Sequence, residues 1–210
     1  MKKIALTQRL LINDSYFEIR EALDTQWGAL FNELNFLPII LPIEIDFKEY
    51  FKAVEIDGII LTGGNDLNSF NKSDESLKRD LFEKELIKYA VENAIPIFGV
   101  CRGMQLVGEY FGANFKKVHN QVGTRSSLTV NNQSKYFNKL KKLSSVNSFH
   151  DYAIDSIPEC FLISAADENG IIKSIEHISH KIFCQMWHSE REKTFDKNQI
   201  NLIRDFFIDQ

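Results

Sequence analysis

The sequence predicts an α/β fold, an open and mostly parallel sheet with helices on both faces. Three observations point there. Short apolar runs alternate with longer stretches of helical spacing through the first half of the chain, a β-α-β-α rhythm. The runs DGIILT (57–62) and IPIFGV (95–100) read as short buried strands, which a sheet covered on both sides requires. With 210 residues, 44% of them apolar, the chain can bury roughly 70% of its unfolded surface around one sizeable core.

Residues 4–7 read as the first strand. Lys2 and Lys3 ahead of Ile4, Ala5 and Leu6 imitate the start of a secretory leader, but Thr7, Gln8 and Arg9 end the apolar run too early. Residues 18–34 have helical spacing, with Leu23, Trp27, Leu30, Phe31 and Leu34 on one face. Residues 36–41 are a second strand, and Pro38 within it suggests a place near an edge. The strand 57–62 ends in Gly63-Gly64. Residues 73–93 form the longest helical pattern, with Leu77, Leu81, Leu86, Tyr89 and Ala90 recurring and Ser73 offering helix-start chemistry. The strand 95–100 leads into a helix over 103–110.

Beyond about residue 112 the pieces shorten. Residues 127–130, 145–150 and 152–154 read as strand-like segments, followed by 161–165, 171–177 and the apolar strand 182–187. An amphipathic helix over 197–208 closes the chain, with Ile200, Ile203, Phe206 and Phe207 apolar. No repeat, low-complexity linker or domain break interrupts 1–210, so a single domain is expected.

Composition removes several classes of function. The net charge of -4 argues against nucleic-acid binding, and the cluster Lys139, Lys141, Lys142 lacks interleaved aromatics and reads as a solvated turn. No apolar stretch approaches the ~20 residues of a membrane span. Cys101, Cys160 and Cys184 are odd in number and without CxxC spacing, which disfavours a disulfide framework and a cysteine zinc site. A reduced, cytoplasmic protein is the expectation.

One cysteine stands apart. Gly99-Val100-Cys101-Arg102-Gly103 has the form G-x-C-x-G between a strand and a helix, the spacing of a nucleophile elbow with Cys in place of Ser. A sharp strand-to-helix turn holds its central residue in strained backbone and needs small neighbours. It lifts the thiol above the C-terminal edge of the sheet, at a helix N-terminus that favours thiolate and offers N–H groups to an oxyanion. The pentapeptide alone fits a buried structural cysteine equally well. The C-terminal segment changes the balance: Gln185-Met186-Trp187-His188-Ser189-Glu190 follows a strand and sets His188 and Glu190 two residues apart, on one side of extended backbone. A thiol, a histidine to take its proton and a carboxylate to orient that histidine make an activated nucleophile.

GVCRGMQ followed by Q-x-W-H-x-E resembles the class I glutamine amidotransferases and their free-standing relatives, the γ-glutamyl hydrolases. LTGGNDL (61–67) resembles that family's glycine-rich oxyanion loop, and VNSFHDYAID (146–155) its V-N-S-x-H segment, in the family's order over nearly the whole chain. The resemblance implies a flavodoxin-like open sheet with the elbow at its C-terminal edge. It further implies Cys101 as nucleophile, His188 as base and then acid, and Glu190 as the orienting carboxylate. The backbone N–H groups of Gly64 and Arg102 would form the oxyanion hole beside Gly63. Gln105, one helical turn after Cys101, would hold the γ-glutamyl portion. Asn147 and Ser148 would bind its α-amino and α-carboxyl groups, largely through backbone. His150 reads equally as a leaving-group contact and as a satisfied structural histidine. Two departures stand out: Ser189 replaces the family's usual Pro after the histidine, and residues 119–130 lack a second His near Ser127 that relatives often carry.

The chemistry implied is hydrolysis of a small-molecule γ-glutamyl amide through a glutamyl thioester. It needs no cofactor and no metal, and His119, His177 and His180 have no HExxH-like spacing. The 210 residues hold no synthase domain, so a free-standing hydrolase is expected. ALTQRL, EALDTQW and LTGGNDL look most like hydrolases of N5-(cytidine 5′-diphosphoramidyl)-L-glutamine in capsule phosphoramidate biosynthesis. A nucleotide-linked leaving group calls for cations, for which Arg102, Arg125 and Arg9 are candidates. Three alternatives stay open: a hydrolase of γ-glutamyl-aminobutyrate type, a glutaminase subunit feeding ammonia to a partner synthase, and a redox-sensing elbow cysteine without catalysis.

Overall fold

The computed structural model describes residues 1–13 and 15–209. In chain order the elements are β1 (Lys3–Leu6), β2 (Arg9–Ile12), β3 (Ile19–Ala22), α1 (Gln26–Leu34), β4 (Leu37–Ile40), α2 (Phe47–Val54), β5 (Gly58–Leu61), α3 (Asp74–Glu92), β6 (Ile97–Val100) and α4 (Arg102–Phe111). There follow β7 (Asn114–Lys117), β8 (Val122–Ser126), β9 (Thr129–Val130), α5 (Phe137–Leu140), β10 (Val146–Phe149), β11 (Tyr152–Ser156), β12 (Phe161–Ala166), β13 (Ile172–His177), β14 (Ile182–Gln185) and α6 (Lys197–Ile208).

Eight strands form one sheet in the order β4-β1-β5-β6-β14-β13-β12-β9. The first five run parallel, and β13, β12 and β9 extend the sheet as antiparallel neighbours. This is the mostly parallel α/β sheet the alternation predicts. Pro38 lies in the edge strand β4, where a missing N–H costs least. Alternate residues of β5 meet opposite layers. A methyl group on Gly58 would strike Phe207 of α6, whereas Leu61 lies against Gly103 of α4. Helices therefore cover both faces. The central strands β5, β6 and β14 are buried along their whole length. Three two-stranded ribbons, β2/β3, β7/β11 and β8/β10, lie outside the sheet.

Three expectations need correction. The helix expected over 18–34 begins only at Gln26. Residues 19–22 instead pair with β2 as an antiparallel hairpin, and Asp24 caps α1 by accepting the Gln26 N–H at 2.9 Å. A non-local ladder overrides the local period there. The strand expected over 127–130 shortens to its last two residues, β9, which pairs with β12; Ser127 and Leu128 separate it from β8, which pairs with β10. In α3 the apolar stripe is displaced: Leu77 and Leu81 are 44% and 60% exposed, while Arg79, Asp80 and Glu83 are buried. The reason is a buried ionic cluster. Arg102, the first residue of α4, donates to both Asp80 and Glu83, and Arg79 Nε donates to Glu83 at 3.0 Å. Helix α2, capped by the Asp46 carboxylate on the Lys48 N–H at 3.1 Å, and the ribbon strands β2 and β7 are elements the periodicity does not reveal. No helix among the described residues is long and apolar enough to cross a membrane.

Candidate active site

The elbow is built by close packing. Cys101 has φ 52° and ψ -103°, a strained conformation between the end of β6 and the start of α4. Its N–H is fixed by the Gln185 carbonyl of β14 at 2.8 Å. The flanking glycines are needed for space. A methyl on Gly99 would lie 2.7 Å from Cys184 Sγ, and one on Gly103 would lie 2.1 Å from the Leu61 carbonyl oxygen. Cys184 is thus a packing partner of the turn, and burial pushes its own thiol far up. The Arg102 N–H opens α4, where no carbonyl four residues back exists within the helix.

His188 and Glu190 follow β14. The chain leaves the strand at Gln185 and turns through a single 3-10 turn, Ser189–Arg191. His188 Nδ1 lies 2.6 Å from Glu190 Oε1, with both side chains almost fully buried. That contact leaves Nε2 as the reactive end of the ring, and Nε2 is buried with no hydrogen-bond partner. The ring lies beside Cys101 and Gly63. A methyl on Gly63 would come 2.7 Å from His188 Cε1 and 3.7 Å from Cys101 Cβ. Burial works against an imidazolium here, but the negative charge of Cys101 and the Glu190 carboxylate outweigh it and raise His188 to about 9. A thiol beside an imidazole that a carboxylate orients is the arrangement of a cysteine nucleophile with its general base.

Ser189 adapts to the missing proline. It is buried, and its Oγ accepts from Gln185 Nε2 at 2.9 Å, tying the turn back to the strand it leaves. Asn147 does more with its side chain than the sequence suggests. Its Oδ1 accepts the His188 N–H at 2.8 Å, and its Nδ2 donates to the His188 carbonyl at 2.8 Å and to Glu192 Oε1 at 3.0 Å. Its amide is therefore spent on holding His188.

The glycine loop is held from below by Arg79. Its guanidinium donates to the carbonyls of Thr62 at 2.9 Å and Gly63 at 3.1 Å. Gly64 has φ 113°, and Arg9 lies against it; a Cβ there would be 2.7 Å from Arg9 Nε. Gln105 sits one turn along α4 with Nε2 donating to the Tyr152 carbonyl at 2.8 Å. Ser148 and His150 face a buried lysine. Lys173 Nζ on β13 donates to Ser148 Oγ at 2.8 Å and Gln121 Oε1 at 2.5 Å, with His150 Nε2 at 3.3 Å and Asp167 Oδ2 at 3.5 Å. Burial and the Lys173 charge push His150 down to about 3, so it stays neutral.

The structure brings Cys101, His188, Glu190, Gly63 and Gly64 together and separates others. The Arg102 side chain points into the ionic cluster under the loop, so it is no phosphate contact; only its backbone faces the elbow. Arg125 Nη1 donates to both carboxylate oxygens of Glu192, at 2.9 and 3.1 Å, while its Nε and Nη2 donate to Ser145. His150 is a satisfied neighbour of Lys173 on one side of its ring. Sequence reasoning passed over Lys173, Phe149 and Arg191. Lys173 had a signal: it takes the place of an apolar residue between Ile171 and Ile175 on one side of the strand. The Phe149 carbonyl accepts from the Cys101 thiol at 3.9 Å, and the Phe149 ring meets that of His188 edge to face at 5.9 Å. The Arg191 guanidinium lies over the Phe149 ring at 5.0 Å.

Comparison with known proteins agrees with this geometry. The family model described as Peptidase C26 matches residues 14–190. The chain is 39% identical over 207 residues to the γ-glutamyl-CDP-amidate hydrolase of Campylobacter jejuni, spanning 97% of this chain and 96% of that one. It is 28% identical over 151 residues to a glutamine-hydrolysing GMP synthase of Campylobacter lari, spanning 72% of this chain and 27% of that one. The crystal structure of a glutamine amidotransferase from Thermotoga maritima shares the fold, with a TM-score of 0.67 at 18% identity over 97% of this chain and 83% of that one. A family match over most of the chain, on a mostly parallel sheet carrying a buried thiol–imidazole–carboxylate array, establishes that this chain is a hydrolase belonging to the Peptidase C26, class I glutamine amidotransferase-like family.

Proposed function

We propose that this chain hydrolyses a γ-glutamyl amide whose leaving group is nucleotide-linked, γ-glutamyl-CDP-amidate, with Cys101 as nucleophile. The observation that carries the catalytic reading is the 2.6 Å contact between His188 Nδ1 and Glu190, which leaves Nε2 unpartnered beside Cys101. The substrate reading rests on the 39% identity to the Campylobacter jejuni enzyme over nearly the full length of both chains.

In the reaction, the Cys101 thiolate attacks the γ-carbonyl carbon. The carbonyl oxygen gains the negative charge and is received by the N–H groups of Gly64 and Arg102. His188 gives the proton on Nε2 to the leaving nitrogen, the C–N bond breaks, and a glutamyl thioester remains on Cys101. Water then attacks the thioester carbonyl, His188 takes a proton from it, and glutamate leaves as the thiolate is restored. Gln105, with its Nε2 held by Tyr152, presents its Oε1 to the glutamyl α-amino group. Ser148 contributes backbone, because its hydroxyl is held by Lys173.

Glutamate release from γ-glutamyl-CDP-amidate, glutamine and γ-glutamyl-aminobutyrate tests both parts. The expected result is a kcat/KM at least 100-fold higher for the nucleotide-linked amide, with turnover abolished in Cys101→Ala. Equal or better use of glutamine overturns the substrate reading, and turnover surviving in Cys101→Ala overturns the covalent mechanism.

A further inference from the structure

We propose that Arg9 and Arg191 form a two-guanidinium clamp for the phosphate groups of the leaving group. The inference rests on the nucleotide-linked substrate proposed above and assigns its recognition to two residues. Both arginines line one narrow crevice of about 20 Å³ with Thr62, Gly63 and Glu190, so the phosphates are placed at its mouth, and Gly63 itself packs against Cys101 and His188. Arg9 rests on Gly64, whose N–H is the proposed oxyanion donor. Arg191 follows Glu190 in the 3-10 turn, and its guanidinium lies over the Phe149 ring, 5.0 Å from the centroid.

The other guanidinium and ammonium groups near the elbow are committed elsewhere. Arg79 and Arg102 are buried against Asp80 and Glu83, Arg125 is paired with Glu192, and Lys173 is wholly enclosed. Arg9 and Arg191 differ. Among the described residues neither side chain makes a hydrogen bond, and the nearest carboxylate to Arg191 Nε is Glu190 Oε1 at 3.9 Å, already engaged by His188. Asp24 also lines the crevice, but its Oδ1 caps α1. Each arginine thus keeps its donor fork available beside residues that flank the elbow, Gly64 for Arg9 and Phe149 for Arg191, and a planar fork suits a phosphate better than any other side chain. A diphosphate presents oxygens on two phosphorus atoms and can engage both forks. Glutamine, whose leaving group is ammonia, can engage neither.

The test is a selectivity ratio: kcat/KM for γ-glutamyl-CDP-amidate divided by kcat/KM for glutamine, measured on one preparation of each variant. Misfolding lowers both terms together and leaves the ratio intact. Arg9→Ala and Arg191→Ala are each expected to lower the ratio at least 10-fold, and the double variant at least 50-fold. Arg191→Lys should recover part of the loss. Arg20→Ala, which removes an exposed arginine paired with Glu18 on the same hairpin, should leave the ratio unchanged. CDP should inhibit the wild type competitively and the double variant at least 10-fold more weakly. A wild-type ratio near one overturns the substrate reading and the clamp with it. A high wild-type ratio that persists within two-fold in both single variants and the double variant overturns the clamp alone.

Discussion

Asn147 grips His188 by the backbone on both sides, accepting its N–H and donating to its carbonyl, each at 2.8 Å. The imidazole has no comparable anchor except Glu190, so ring placement depends on a strand that comes from elsewhere in the chain, β10. Asn147→Ala leaves the buried His188 N–H unpaired, at a cost of about 1–3 kcal/mol, and leaves the His188 carbonyl with the Arg191 N–H alone, at 3.2 Å. The expected outcome is a 10- to 100-fold fall in kcat with a smaller change in KM. Asn147→Asp keeps the acceptor and should retain more activity than the alanine variant. Equal kinetics for Asn147→Ala and wild type would show that His188 is placed without the clamp.

The His188 titration has a direction that can be checked in two ways. In the unfolded chain an imidazole titrates near ~6.5, whereas the folded value is about 9, raised by the Cys101 charge and Glu190 against the effect of burial. Below the unfolded value both states hold the proton and the stabilisation is complete. Above it only the folded state holds the proton, so this contribution declines and is gone once pH passes about 9. Urea unfolding should show that decline in the wild type and a smaller one in Cys101→Ala, which lacks the thiolate. In kinetics, the basic limb of kcat/KM should fall near pH 9 and move to lower pH in Glu190→Gln. An unmoved basic limb would count against Glu190 as the group that holds the proton on His188.

The ionic cluster beneath the elbow links two helices, α3 and α4, and the glycine loop through four charges. Arg102 spans Asp80 and Glu83, and Arg79 spans Glu83 and the Thr62 and Gly63 carbonyls. Glu83 stays ionised because the two arginines outweigh its burial, which alone would raise it. Arg102→Met takes the cation from Asp80 and leaves Glu83 with Arg79 alone, and loss of one partner from such a network costs about 3–5 kcal/mol. Its urea midpoint should drop accordingly. Arg79→Met should cost a similar amount and also slow turnover, since it releases the carbonyls that hold the glycine loop. A variant as stable as the wild type would mean that water fills the vacated place.

What the sequence reveals of this site is set by the backbone. Cys101 is legible because a strained turn demands glycine at fixed offsets, and Gly99 and Gly103 meet that demand with no room for a methyl. His188 and Glu190 are legible because they follow the end of an apolar strand. The elements around them are less so, because their reasons lie across the fold. The hairpin of Arg9–Ile12 with Ile19–Ala22 comes from pairing between segments, which a helical period cannot register. Helix α3 misleads for the opposite reason. Its leucines look like a core face until Arg102, from another helix, claims Asp80 and Glu83. Asn147 and Arg125 are expected as substrate contacts, but their side chains are spent on His188 and Glu192.

Lys173 offers the sharpest test of a charge enclosed beside the site. Its ammonium is buried at the centre of Asp167, Gln121, Ser148 and His150, and burial pulls it downward while Asp167 works to keep it charged. Through Ser148 it braces β10, the same strand that carries Asn147. Lys173→Met leaves Asp167 Oδ2 buried and without its cation, at a cost of about 3–5 kcal/mol. Pairing it with Asp167→Asn should recover a large part, because the stranded charge is gone while the packing defect remains. His150 supplies an independent readout. It is held at about 3 by burial and by Lys173, so in the wild type it loads the unfolded state with a proton between ~6.5 and about 3, and stability falls as pH drops through that window. Without the lysine its pKa should rise, with burial still holding it below the ordinary value, and its imidazole signals should titrate at higher pH by NMR than in the wild type. If the double variant is no more stable than Lys173→Met and the His150 signals do not move, then Lys173 serves β10 through packing alone and its charge is incidental to the site.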